Sequence, residues 1–154
     1  MRVRTSVVIG KPAATLWPLL CDSRMDPRMP CFSRLGIPKP VECRLPDGEG
    51  RAGARRECVS QRGVVHQRIT AWEPARLLQF HMEDTNLHFR PCVSSLREEF
   101  LLEPLDADRT RLTRTTDLTT TGAFPWAKAM IMAVGLKFVH RYVFHNWARP
   151  GNGR

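Results

Sequence analysis

The sequence predicts an α+β fold in which a curved antiparallel sheet of about seven strands wraps around a long C-terminal helix. Three observations predict it. Runs of alternating, β-branched and aromatic residues recur through the middle of the chain. Short breaks separate most of these runs, which favours antiparallel hairpins. The last apolar stretch, residues 124–147, has the residue spacing of one long helix.

The first part of the chain is predicted to contain one strand and two short helices. Residues 2–9 alternate and then end in a β-branched run, which is typical of a strand. Pro12 suits a first helical turn, and apolar residues continue at helical spacing as far as Asp22. A second short helix is predicted over residues 22–29, and the proline-rich residues 30–40 are predicted to be irregular.

Six further strands are predicted at residues 41–45, 54–61, 64–72, 77–83, 93–102 and 111–119. Turn-forming residues lie between several of them, including a glycine-rich segment at 47–50 and an Arg-Gly pair at 62–63. Because short turns join the late strands, we expect one antiparallel sheet. The long helix must then cover the concave face of that sheet to bury its own apolar residues.

The long helix is apolar over most of its circumference. One stripe consists of Ala127, Ile131, Val134, Phe138 and Tyr142, and a second consists of Met132, Leu136, Val139, Val143 and Trp147. So broad an apolar arc exceeds one ordinary packing contact. Two interpretations follow: both stripes are core, or the helix also forms a wall of an internal cavity.

Length and composition predict a single domain over residues 1–154. The chain has 154 residues, of which 42% are hydrophobic and 25% charged, values typical of soluble globular proteins. No break resembles a domain linker. No segment resembles a signal peptide, and Lys128 and Lys137 interrupt the helix that could be mistaken for a membrane span. We therefore expect a cytoplasmic location.

Motifs for metal, phosphate or nucleophile chemistry are absent from the sequence. The five cysteines are widely spaced without a C-x-x-C pair, and the five histidines form no zinc-binding pattern. Neither a P-loop nor a G-x-S-x-G sequence is present. We expect reduced structural thiols, no metal and no cofactor, and no motif identifies a catalytic residue.

Positive charge is concentrated at the two ends of the chain. The net charge is +9; residues 1–40 carry seven Lys or Arg against two Asp, and residues 124–154 carry five and no acid. Such ends favour an anionic partner: nucleic acid, an acidic membrane surface, or an anionic ligand. The alternative is a solvated surface that keeps the protein soluble.

Several local patterns, together with the order of elements, resemble the START-like helix-grip superfamily, also called SRPBCC. The carriers are SVVIGKPAATLW at residues 6–17, GARR at 53–56 and ITAWEPARL at 69–77. The superfamily includes polyketide cyclase/dehydrase-like and lipid-transfer-like proteins, and the resemblance covers nearly the whole chain. It implies a single ligand-binding domain whose cavity, between sheet and last helix, holds an apolar or amphipathic ligand. It does not identify that ligand.

Glu98 and Arg114 are the leading candidates for polar groups in such a cavity. Strand alternation places Glu98 on one face with Leu96, Phe100 and Leu102. A buried carboxylate needs a partner or a raised pKa, which would mark it as an acid or a ligand contact. Arg114 is the best strand-borne partner by the same alternation. The alternative is a cross-strand pair at the surface.

The other cavity candidates come from one strand and the long helix. Phe80 and Met82 belong to the predicted inner face of their strand. His140 and Tyr142 are polar groups on the helix that would orient a ligand. For Tyr142 the favoured alternative is a hydroxyl that finds its partner at the edge of the core. The remaining candidates are apolar helix residues: Met130, Val134 and Phe138.

Three functions are compatible with these features. The first is binding or transport of a hydrophobic or amphipathic small molecule, neutral or anionic. The second is a polyketide cyclase or dehydratase that uses cavity Arg, His, Tyr or Glu side chains as acids and bases. The third is an RNA- or membrane-surface-binding protein that uses its basic ends, since aromatic and basic residues alternate near the end of the helix.

Overall fold

The computed structural model describes residues 1–151 and confirms the predicted α+β fold. Eight strands form one antiparallel sheet. They are β1 (Arg2–Ile9), β2 (Ser23–Arg24), β3 (Pro40–Arg44), β4 (Arg55–Ser60), β5 (Gly63–Glu73), β6 (Leu77–Thr85), β7 (Val93–Pro104) and β8 (Thr110–Thr120). The helices are α1 (Ala13–Cys21) and α2 (Pro125–Ala148), with short 3₁₀ helices at Cys31–Leu35 and Arg90–Cys92. Within residues 1–151 no helix combines the length and apolarity needed to cross a bilayer.

The strand order is β1-β8-β7-β6-β5-β4-β3-β2. Strands β2 to β8 therefore each pair with their neighbours along the chain, as the short turns predict. Strand β1 instead lies beside the last strand, with Arg2 opposite Asp117 and Ile9 opposite Thr110. Because α2 follows β8 directly, it folds back over this end of the sheet and contacts β8 and β1.

The second helix predicted at residues 22–29 is wrong. Ser23 and Arg24 instead form β2, the strand that the sequence did not predict. The Met25 N–H then donates to the carbonyl of Val41 at 2.7 Å. Pro27 follows directly and lacks an N–H donor, so it disfavours a helix through this segment. The short helix comes later, at Cys31–Leu35, and ends at Gly36 in the left-handed region with φ 85°.

A β-bulge in β5 changes the faces predicted from simple alternation. Regular alternation would place Trp72 on the same face as His66 and Arg68. The register shifts between Ile69 and Ala71, however, and this extra residue brings Trp72 back to the inner face. There the Trp72 ring packs edge-on against Trp17, with centroids 5.0 Å apart.

The main core lies between the sheet, α1 and the C-terminal half of α2. Val143, Phe144 and Trp147 of α2 are buried, and Trp147 packs against Phe100 of β7 with ring centroids 5.6 Å apart. Leu16, Leu19 and Leu20 of α1 complete this cluster. Each such side chain contributes roughly 1.5–3 kcal/mol when it is fully buried, so the C-terminal half of α2 is firmly held.

The N-terminal half of α2 is covered on one side only. The stripe that contains Met132, Leu136 and Val139 faces the sheet. Most of the other predicted stripe is at the surface: Ile131 is 74% exposed and Val134 58%. The interpretation that both stripes are core is therefore wrong for the first stripe, because a single sheet covers only one side of a helix.

His140 joins α2 to two strands. Its imidazole is fully buried, with Nε2 2.9 Å from the hydroxyl of Thr116 on β8 and Nδ1 3.0 Å from the hydroxyl of Thr5 on β1. Burial, with smaller effects of the Arg114 and Lys137 charges, lowers the pKa of His140 to about 2. The ring is therefore neutral, with one nitrogen donating and the other accepting, and either hydroxyl can complement it.

The buried His140 predicts an acid-dependent loss of stability. Below pH about 6.5 His140 of the unfolded chain binds a proton, whereas the buried imidazole of the folded protein stays neutral. The free energy of unfolding should therefore fall by roughly 1.4 kcal/mol per pH unit from this residue as the pH decreases from 6 to 4. His140→Gln should lack this component. Urea unfolding of both proteins between pH 6 and 4 measures the His140 contribution. The carboxylates titrate in both proteins, so their contribution cancels in the comparison. Parallel stability curves would contradict the prediction.

Candidate functional site

A cavity of about 220 Å³ lies between the inner face of the sheet and the N-terminal half of α2. Its walls are mostly apolar, and the loop at residues 36–38 and the turn at 87–89 form part of its lining. The apolar side chains that line it include Ile37, Val65, Leu96, Met132, Leu136 and Val139. The cavity therefore lies where the resemblance implied one, beneath the less enclosed half of the helix.

Gly135 helps to form the cavity because it has no side chain. It faces inward from α2, and a Cβ atom at this position would lie 3.7 Å from Ile37, an ordinary van der Waals contact. Nothing in the packing against Ile37 therefore requires a glycine. Glycine also costs about 1 kcal/mol relative to alanine inside a helix. Its effect here is to leave space between α2 and the sheet.

Glu98 and Arg114 form a buried ion pair in the wall of this cavity. Arg114 Nε donates to Glu98 Oε2 at 2.6 Å, and Nη2 donates to Oε1 at 2.7 Å. The Arg114 side chain is 11% exposed and the Glu98 side chain 4%. The alternative interpretation, a pair at the surface, is therefore wrong. The Arg114 guanidinium also lies over the Phe100 ring at 5.1 Å.

The ion pair leaves part of Arg114 available. Nε and one N–H of Nη2 bind the carboxylate, whereas Nη1 has no acceptor among the residues that the structure describes. A guanidinium carries five N–H donors, so three remain beyond this bidentate pair. Because Arg114 lines the cavity, these donors can reach an oxygen atom of a bound molecule.

A second buried arginine lies deeper in the same interior. Arg56 on β4 is 3% exposed; it donates to Gln67 Oε1 and, at 2.9 Å, to the carbonyl of Leu20. Its guanidinium lies 4.4 Å from the centroid of Phe80, and its buried Nε has no partner among residues 1–151. With two arginines and one glutamate, this interior carries a net positive charge.

Sequence reasoning missed Arg56 as an inward-facing residue. The signal was present in the alternation of residues 54–58. Ala54, Arg56 and Cys58 share one face, and the two apolar residues on that face indicate that it points inward. It also missed the cavity-lining residues of α2. Their signal was the helical phase of Val143 and Trp147, which lie on the same stripe as Met132, Leu136 and Val139.

The two candidates on β6 and the two polar candidates on α2 lie outside the cavity lining. Phe80 is buried in the main core beneath Arg56. Met82 is half-buried and packs against the small cluster of Val93, Leu96 and Leu118. His140 is held between two threonines. The Tyr142 hydroxyl donates to the carbonyl of Asp26 at 3.0 Å, so it has found a partner at the edge of the core.

The apolar helix candidates Met130, Val134 and Phe138 are at the surface. Met130 is 62% exposed and Phe138 42%. Phe138 stacks against Phe32 with centroids 6.2 Å apart and is not among the residues that line the cavity. Of all the predicted site residues, the structure thus brings together Glu98 and Arg114 at the cavity.

A larger depression, of about 760 Å³, lies on the outer face of the sheet. Two pairs of its polar side chains bind each other across the strands: Arg2 with Asp117 at 2.8 Å, and Gln79 with Glu99 at 2.7 Å. Such exposed pairs contribute little and leave no apolar wall for a ligand. We therefore take the inner cavity as the candidate site. Among residues 1–151 no three His, Cys, Asp or Glu side chains are grouped as metal ligands.

The buried ion pair makes a direct prediction about stability. Glu98→Gln keeps the shape of the side chain but leaves the Arg114 charge unpaired, so the free energy of unfolding should fall by about 3 kcal/mol. The exposed Glu103→Gln on the same strand should change it by less than about 0.5 kcal/mol. Replacing Glu98 and Arg114 together by leucine should recover most of the loss. Urea unfolding of the four proteins tests this; an unchanged midpoint for Glu98→Gln would contradict it.

Comparison with known proteins agrees with this architecture. The model of the polyketide cyclase/dehydrase and lipid transport family matches residues 1–149. The Zhui aromatase/cyclase from Streptomyces sp. R1128 has a similar structure, with a TM-score of 0.69, 17% identity, and coverage of 96% of this chain and 91% of that chain. A START superfamily protein from Mycobacterium smegmatis matches with a TM-score of 0.54, 14% identity, and coverage of 92% and 96%. A search of curated proteins found no match. The chain belongs to the polyketide cyclase/dehydrase and lipid transport family of the START-like, helix-grip superfamily.

Proposed function

We propose that this protein binds or transports a hydrophobic or amphipathic small molecule in the cavity between the sheet and α2. One observation carries the proposal: an apolar cavity whose wall contains a buried arginine with unused N–H donors. Small-molecule sites are mostly apolar, with a few placed polar groups that fix the orientation of the ligand. The family is associated with such ligands, which supports the same assignment.

The dimensions of the cavity limit the ligand. A volume of about 220 Å³ lies below the ~300–1,000 Å³ of sites that enclose drug-sized molecules. The ligand is therefore a compact molecule, or a longer one of which only one end enters. We propose that its polar end carries an oxygen acceptor, such as a carbonyl, phenol or carboxylate, that binds Arg114. The net positive charge of the interior favours an anionic oxygen.

The enzyme hypothesis has less support from the geometry. A cyclase or dehydratase needs groups that gain and lose protons near neutral pH. His140 is buried outside the cavity with its pKa lowered to about 2, and the Tyr142 hydroxyl donates to the Asp26 carbonyl. Two of the proposed acid/base groups are therefore not placed to act on a ligand. Binding without chemistry requires only the residues that line the cavity.

Filling the cavity at Gly135 tests the binding proposal. Gly135→Leu should place a side chain in the cavity while stabilising α2, since leucine is a better helix former by nearly 1 kcal/mol. Native mass spectrometry of protein purified from cells should show a bound small molecule in the wild type and none in this variant. Titration with the anionic apolar dye anilinonaphthalene sulfonate should show affinity weakened by roughly tenfold or more.

Val134→Leu is the matched control. It also adds bulk to α2, at the adjacent but exposed position, and should leave both results unchanged. A folded Gly135→Leu protein that retains the co-purified molecule and the dye affinity would show that the cavity is not the binding site.

A second function, docking on an anionic membrane surface, is favoured by the exposed apolar face of α2. This face consists of Phe124, Trp126, Met130, Ile131, Val134 and Phe138. Residues 118–154 contain no Asp or Glu, and α2 carries Lys128, Lys137 and Arg141. Apolar side chains bordered by positive charge are typical of helices that lie in the interface of an anionic bilayer. RNA binding would instead require polar contacts and stacked bases along a basic groove.

Vesicle co-sedimentation tests the docking. The protein should bind phosphatidylcholine vesicles that contain phosphatidylserine more tightly than neutral vesicles, and less tightly as salt is raised. Replacing Trp126 and Ile131 together by serine should weaken binding by roughly tenfold or more, because two apolar side chains no longer enter the bilayer. Leu105→Ser, an exposed change in the β7–β8 turn, is the control. Equal binding of all three proteins would contradict docking through α2.

A further inference from the structure

Two cysteines face each other beside the cavity, and one of them, Cys58, lines it. Cys43 on β3 and Cys58 on β4 are directly opposite in the antiparallel register. Their sulfur atoms are 3.1 Å apart. Opposite residues in such a pair have Cα atoms about 4.5 or 5.5 Å apart, within the range that a disulfide spans. A covalent S–S bond of about 2.05 Å therefore needs the sulfurs to approach by only about 1 Å, without movement of the strands.

The surroundings favour a thiolate at this pair. The two thiols share a hydrogen bond, in which Cys58 is the donor once Cys43 is ionised. This bond, aided by the positive charges of Arg56 and Arg114, lowers the pKa of Cys43 below its ordinary value. Arg56 is itself buried with an unpartnered Nε. The thiolate is the reactive form of cysteine, so the two buried arginines activate this position.

One member of the pair borders the cavity, and the sulfur of the other lies 3.1 Å from it. Cys58 lines the cavity, whereas Cys43 lies behind it and is 4% exposed. A small uncharged oxidant can enter the same opening that admits a ligand. The other cysteines lack this combination: Cys21 is buried and burial raises its pKa to about 12, and Cys31 is exposed.

We propose that Cys43 and Cys58 are a redox-active pair that hydrogen peroxide converts reversibly to a disulfide. The Cys43 thiolate attacks one peroxide oxygen, the O–O bond breaks, and hydroxide leaves, which gives a sulfenic acid on Cys43. The Cys58 sulfur then attacks the Cys43 sulfur, and the hydroxyl group leaves with the Cys58 proton as water. Two thiols lose two electrons and two protons, and peroxide is reduced to two molecules of water. A dithiol reductant restores both thiols.

Peptide mapping of the full chain tests this proposal. Reduced protein is treated with a small excess of hydrogen peroxide at pH 7, alkylated under denaturing conditions and digested. The peptides that contain Cys43 and Cys58 should appear linked, with the mass of two hydrogen atoms lost, and dithiothreitol should separate them. Both thiols should disappear roughly tenfold faster than the exposed Cys31 thiol, because the pKa of Cys43 is lowered and the Cys58 sulfur lies 3.1 Å away, where it can close the disulfide.

Variants separate the pair from other chemistry. In Cys58→Ser the serine hydroxyl can still donate to Cys43, but no disulfide can form, so Cys43 should accumulate as a sulfenic acid that dimedone labels. Cys31→Ser should form the disulfide at the wild-type rate. Wild-type protein in which Cys43 and Cys58 remain alkylatable while Cys31 is oxidised would overturn the proposal, and that result requires no variant to fold.

Discussion

The organisation of this protein depends on one constraint: a single curved sheet can cover only one side of a long helix. The sheet and α1 enclose the C-terminal half of α2 through Val143, Phe144 and Trp147. The N-terminal half leaves a cavity beneath it and an apolar face above it. His140 lies where β1, β8 and α2 meet and fixes the angle between helix and sheet through its two threonine partners. The candidate ligand site and the candidate docking face are thus two sides of the same half-helix.

The charges inside the protein are costly, and stability alone does not account for them. A buried ion pair seldom stabilises a fold more than apolar residues of the same size would, because desolvation offsets the attraction. Glu98 and Arg114 are nevertheless held in the cavity wall, and Arg56 lies nearby. Cys43 on β3 and Cys58 on β4 face each other in the same region. The uncharged His140 adds nothing to this charge. Both proposals use this excess positive charge: it would stabilise the proposed ligand oxygen at Arg114 and the proposed thiolate at Cys43.

Local chemistry made most of the fold predictable. Alternation, turn residues and helical spacing determine where β1 and the later strands and α2 lie, and the Glu98–Arg114 pair followed from alternation alone. What failed depends on contacts between distant residues. The phase of α2 against the sheet is set by Trp147 and His140, so Met130, Val134 and Phe138 could not be assigned to a face from their own spacing. The bulge that turns Trp72 inward and the register that opposes Cys43 and Cys58 also arise from pairing between strands.

The position of the cavity connects the two proposed functions. Ile131 lies at the rim of the cavity and is also part of the exposed apolar face. If α2 docks on a bilayer through that face, the part of the cavity wall at Ile131 lies close to the lipid. A hydrophobic molecule could then pass between bilayer and cavity without exposing its apolar surface to water. Such exposure would cost about 25 cal/mol for each Å². Arg114 would meet the polar end of that molecule inside. The half of α2 that the sheet leaves uncovered would thus be the entrance, and the half that His140 and Trp147 hold would be the fixed end.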